Sequence, residues 1–228
     1  MHIECFTVGA FQVNTYLLTD EATGLQAVID TGETSELVAH LKAKGDALNL
    51  AMILLTHSHL DHAGALPFLQ EVWGVPTYAP ALDRPLFDTL PMQGSMFGMP
   101  HLDRPCGRID HWIEDGFSIA LGETTLRFLS TPGHTPGQGC WFDDHDIVVG
   151  DTVFAGSIGR VDFPLSDPAL AVESLRRLFE LPGHLRVHSG HGPMTTLDHE
   201  LRTNPFLAFL RRERGMDGTV GVRWAPGT

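Results

Sequence analysis

The sequence predicts an α+β protein with two sheets inside and helices outside, a four-layer αββα sandwich. Two observations carry this. Strand-like segments come in two batches, and amphipathic helices accompany each batch. The 228 residues show no repeat, no low-complexity tract and no Ser/Gly linker, so one domain is expected over residues 1–228.

Each element has a local reason. Residues 2–8, 13–19 and 25–30 are short β-prone runs separated by turn residues, as in an antiparallel meander. Asp30-Thr31-Gly32 ends it. Residues 35–44 place Leu37, Val38 and Leu41 at helical spacing, and Lys44-Gly45 suits the helix end. Residues 50–55 form an unbroken apolar run, expected as a strand buried on both faces. A helix is expected over 62–73. Residues 80–110, rich in Pro and Met, read as a long excursion with one short helix, the kind of connection that forms lids and binding loops. Strands follow at 117–120, 124–130, 138–142 and 146–149. Asp167 as N-cap and Pro168 as first helical residue open a helix over 168–181, whose Val172, Leu175, Leu178 and Phe179 share a face. A strand at 185–189 and one or two helices close the chain.

The net charge of −13 argues against a nucleic-acid partner, which needs clustered Lys and Arg. Arg211, Arg212 and Arg214, the only basic cluster, read as a solvated helix face. No segment approaches the roughly 18 apolar residues of a membrane span. The first residues lack the basic start and apolar run of a signal peptide. Cys5, Cys106 and Cys140 form neither a metal spacing nor a disulfide framework. A cytoplasmic location is expected.

The chemistry concentrates in Thr56-His57-Ser58-His59-Leu60-Asp61-His62, directly after the run 50–55. In an extended chain His57 and His59 point to the same side, so both imidazoles can reach one ion. Asp61 and His62 fall where the chain turns, beside that position. Three more candidates follow expected strands, each with glycine beside it: His134, Asp151 and His191. Glycine lets the backbone turn sharply near a ligand. Imidazole and carboxylate together suit Zn, Fe or Mn. A carboxylate such as Asp151 can bridge two ions about 3.5–4 Å apart, and water between such ions loses its proton near pH 7. Asp61 and Asp151, the carboxylates of this set, are the candidate catalytic residues.

These motifs resemble the metallo-β-lactamase fold superfamily over nearly the whole chain. His-x-His-x-Asp-His, Thr-Pro-Gly-His-Thr, Gly-Asp-Thr and Gly-His-Gly occur in the family's order. Within it the chain looks like a glyoxalase II (hydroxyacylglutathione hydrolase) of the short bacterial type, because too little chain follows His191 for a helical C-terminal domain. The resemblance implies that His57, His59 and His134 hold one divalent ion, most naturally Zn. Asp61, His62 and His191 would hold a second, with Asp151 bridging and Asp30 supporting the site from behind. It implies a thioester substrate such as S-D-lactoylglutathione, cleaved to acid and thiol without a separate general acid. Where the family has a Lys and a Tyr after its Gly-Asp-Thr loop, this sequence has Gly159-Arg160-Val161-Asp162. Arg160 is thus the candidate to meet a glutathione carboxylate. A persulfide dioxygenase with a single iron keeps the same motifs and is the alternative. A β-lactamase without an export signal and a tRNA nuclease with this charge are disfavoured.

Overall fold

The computed structural model describes residues 1–99 and 106–216. Strands β1 (His2–Val8), β2 (Val13–Thr19) and β3 (Gln26–Ile29) pair antiparallel, the expected meander. Helix α1 (Glu36–Lys42) crosses over to β4 (Leu50–Leu54), which lies parallel to β3. The expected helix at 62–73 is two pieces, α2 (Leu60–Ala63) and α3 (Leu66–Trp73). The break has a cause. Gly64 still has helical dihedrals and donates to the Leu60 carbonyl, but Ala65 N–H donates to Gly32 at 2.7 Å rather than back into the helix.

Residues 80–110 are more structured than expected. Strands β5 (Thr77–Pro80) and β6 (His111–Ile113) bracket them, and two helices, α4 (Arg84–Phe87) and α5 (Leu90–Met96), replace the single one. Residues 100–105 lie outside the described part. Both strands extend the parallel part of the sheet, giving the order β1-β2-β3-β4-β5-β6.

The second sheet begins with β7 (Ser118–Leu121), β8 (Thr124–Ser130), β9 (Gly139–Phe142) and β10 (Asp146–Gly150), all antiparallel. A small hairpin, β11 (Val153–Phe154) with β12 (Ser157–Ile158), precedes α6 (Pro168–Leu178). The side chain of Asp167 caps α6 by accepting from Ala169 and Leu170 N–H, as its sequence predicts. Strand β13 (Arg186–Ser189) runs parallel to β10, and β14 (Thr195–Thr196) closes the edge. Helices α7 (Leu197–Thr203) and α8 (Ala208–Glu213) follow.

Three apolar layers hold this together. Tyr16, Leu18, Ile29, Leu54, Phe128 and Trp141 pack between the two sheets. Their strand neighbours Leu17, Val28 and Ile53 point the other way, onto α1 and α3 through Leu37, Leu41 and Leu69. Leu175, Leu178 and Leu201 cover the far face of the second sheet. The order of layers is therefore αββα. Arg211 and Arg214 are not purely solvated: they donate to the carbonyls of Leu201 and Asn204, and of Phe179. No described helix is long and apolar enough to cross a membrane.

Candidate metal centre

Parallel pairing brings the expected donors together. Strands β3 and β4 end in register, so Asp30 meets the segment Leu55–His59. Strands β10 and β13 also end together, and Gly190 N–H donates to the Gly150 carbonyl at 2.8 Å. This sets Asp151 beside His191. His134 arrives from the loop after β8. Loops at carboxyl ends of parallel strands are the usual place for a ligand site.

The seven side chains form three overlapping groups whose donor atoms lie within 4.8 Å of one another: His57, His59 and His134; His57, His62 and Asp151; Asp61, His62 and His191. His59 Nδ1 is 2.9 Å from His134 Nε2, and His191 Nε2 is 3.2 Å from Asp61 Oδ2. Asp151 stands in the middle. Its carboxylate lies 3.3 Å from His62 Nε2, 3.5 Å from His134 Nε2 and 3.7 Å from His191 Nε2.

Partners behind the cluster set which ring nitrogen faces inward. His134 Nδ1 donates to the Arg160 carbonyl at 2.7 Å, leaving Nε2 as an acceptor. His62 Nδ1 contacts Asp30 Oδ2 at 2.8 Å. Thr56 Oγ1, 3.1 Å from His57 Nδ1, donates to the same Asp30 oxygen, and Thr56 N–H donates to Oδ1. Asp30 adopts φ +59°, and its carboxylate bonds run to residues far along the chain rather than into a local turn.

Three buried atoms of this cluster make no hydrogen bond to any described residue: His57 Nε2, His62 Nε2 and Asp151 Oδ1. His62 Nε2 and Asp151 Oδ1 face each other at 3.3 Å, while leaving a buried polar atom such as His57 Nε2 unpaired costs about 1–3 kcal/mol. All three belong to one group of candidate donors, and a single cation placed among them would satisfy them together. The electrostatics agree. Burial, reinforced by the neighbouring histidines, holds His57 well below its ordinary pKa and His59 down at about 4. Both are neutral, ligand-ready imidazoles at pH 7. Burial also pulls His62 down, but Asp61, Asp151 and Asp30 outweigh it and hold it well above the ordinary value. The carboxylates that raise it make the site negative, and a metal ion bound there would displace that proton.

Glycine makes the close packing possible. A side chain at Gly190 would sit 2.3 Å from Asp151 Oδ1 and 2.6 Å from His62 Cε1. At Gly159 it would meet the Asp151 carbonyl at 1.8 Å.

Two supporting residues escape sequence reasoning. Asp83, fully buried, accepts from Ser58 N–H at 2.8 Å, Thr135 Oγ1 at 2.9 Å and Gly137 N–H at 2.5 Å. It ties the His57–His59 segment to the His134 loop. Asn14 on β2 donates its amide to the carbonyls of Ser189 and Gly192, bracing the loop that carries His191. A lone Asp in a Pro-rich stretch and an Asn within a strand give no signal by themselves. The excursion contributes Gln93, whose side-chain oxygen accepts from Leu60 N–H at the start of α2. The remaining expected residue, Arg160, is exposed at the rim and bound by Asp162.

Donors of this kind, collected on an αββα sandwich, fit a metal-dependent enzyme, and the relatives below make it a metallohydrolase. The chain belongs to the metallo-beta-lactamase superfamily, whose profile matches residues 8–191. It is 37% identical to the hydroxyacylglutathione hydrolase GloC of Haemophilus influenzae, over 91% of this chain and 98% of that protein. It is 36% identical to the probable metallo-hydrolase YqgX of Bacillus subtilis, over 88% and 94%. Among solved structures, TTHA1623 in a di-iron-bound form matches with a TM-score of 0.79 and 37% identity, covering 90% of this chain and all of that one. The B3 metallo-beta-lactamase BLEG-1 matches with a TM-score of 0.81 and 30% identity, over 91% and 100%.

Proposed function

We propose that this metallohydrolase is a dinuclear thioesterase that cleaves S-D-lactoylglutathione or a related glutathione thioester to acid and thiol. The observation that carries the dinuclear reading is the position of Asp151, within 3.7 Å of histidines from both outer groups. His57, His59 and His134 would hold one ion and Asp61, His62 and His191 the other, with Asp151 between. Zn and Fe both suit these donors. The di-iron form of TTHA1623 supports iron beside zinc. The thioester part draws on the name of the GloC relative.

Two ions at such a site supply an activated water at neutral pH and polarise a carbonyl. The chain's own residues do the rest. Asp30 and the Arg160 carbonyl keep the imidazoles turned inward, so the donors need no reorganisation when substrate arrives. Phe163 lies edge-on to His59 and His134, with ring centroids 5.6 and 5.9 Å away, and so sets an apolar ring beside the candidate donors. Arg160 stands over that ring and is the candidate partner for a substrate carboxylate.

Metal-replete protein should hydrolyse S-D-lactoylglutathione, followed by loss of thioester absorbance, and contain two ions per chain. Asp151→Ala should lose both metal and activity. No turnover with two ions bound would refute the substrate. A single iron with oxygen uptake on a persulfide would favour the oxygenase instead.

A further inference from the structure

We infer that Asp162 sets the charge preference of the site by competing with the anionic end of a substrate for Arg160. The inference rests on the thioester reading above. It starts from the backbone. Gly159 packs so closely on the Asp151 carbonyl that no side chain fits, and the next carbonyl, of Arg160, accepts from His134. The start of this segment is therefore fastened to the donor cluster, while the Arg160 side chain reaches out and is 66% exposed.

The guanidinium is already engaged. Nε donates to Asp162 Oδ1 and Nη2 to Oδ2, both at 2.9 Å, a bidentate pair that occupies one edge of the fork and neutralises its charge. Its Cζ lies 4.4 Å from the centroid of Phe163, the ring that touches His59 and His134. Arg160 is thus one ring away from the donors and is spent on a neighbour two residues along. An exposed pair of this kind contributes little to stability. Its effect falls on what Arg160 can offer a ligand. An incoming carboxylate must displace Asp162 or share the cation with it, whereas an uncharged thiol arm has no charge to compete with Asp162.

The test is Asp162→Asn, which keeps size and removes the competing charge. Calorimetry on the metal-loaded proteins should use two non-hydrolysable thioethers: S-methylglutathione, with its carboxylates, and S-methyl-N-acetylcysteamine, which is uncharged. The variant should bind S-methylglutathione about fivefold more tightly, the scale of one exposed ion pair, and leave the uncharged thioether unmoved. Adding Arg160→Ala to the variant should abolish the gain. With S-D-lactoylglutathione the same gain should appear in KM. An unchanged dissociation constant for S-methylglutathione, or an equal gain for both thioethers, would overturn the inference. If the wild type binds these ligands but turns over no thioester, the proposed function fails while the ratio of binding constants still decides the role of Asp162.

Discussion

Replacing Asp83 tests how the two histidine-bearing segments are held. Its carboxylate accepts two backbone N–H groups, from Ser58 and Gly137, and the Thr135 hydroxyl. With Asp83→Ala the hydroxyl can rotate to another acceptor, but two buried N–H groups are left unpaired, each worth about 1–3 kcal/mol. Part of this is returned. Burial pushes the Asp83 carboxyl above its usual range despite the three bonds, so removing its charge relieves a desolvation cost. The net expectation is about 3 kcal/mol lost for Ala. For Asn the loss is about 1 kcal/mol, because the amide oxygen still serves two donors. Urea unfolding measures both. The functional consequence is separate: Ser58 lies between His57 and His59, and Thr135 follows His134. Loosening them should weaken metal binding by about 10–100-fold, read by competition with a chelator. The reasoning fails if Asp83→Ala unfolds within about 0.5 kcal/mol of wild type and binds metal equally well.

Gly190→Ala should reduce metal content sharply with a smaller effect on folding, since the added methyl meets Asp151 Oδ1 and His62; metal analysis of folded protein checks it. Asp146, buried, accepts from Arg186 and from His188 on β13, and these partners outweigh burial to lower its carboxyl. A depressed folded-state pKa contributes stability that is present above the unfolded value near 3.9 and lost as pH falls through the folded one. Unfolding curves of wild type and Asp146→Asn should therefore differ by a constant amount above the unfolded value and converge as pH falls through the lower folded one.

How much was legible in the sequence depended on how local each feature is. The long strands and α6 announce themselves through alternation, helical spacing and the Asp167-Pro168 cap, all properties of neighbouring residues. The cluster His57, His59, Asp61 and His62 is legible for the same reason, and the glycine-flanked His134, Asp151 and His191 stand out at strand ends. Strands β11, β12 and β14 span two residues each, too few to alternate, and β5 and β6 flank the Pro-rich excursion without a clear pattern of their own. No periodicity can reveal them. The break between α2 and α3 comes from the hydrogen bond of Ala65 N–H to Gly32, a residue distant in sequence.

The sequence by itself picked out the candidate donors, because a metal site needs particular side chains and these are few and clustered. Tertiary structure alone decided their arrangement. The parallel ends of β3 with β4 and of β10 with β13 put Asp30 behind His62 and Asp151 beside His191. Asp83, Asn14 and the ion pair of Arg160 with Asp162 acquire their roles from groups brought near by folding. A hydrogen bond reaches only about 3 Å, so what a polar residue does depends on which strands end beside it.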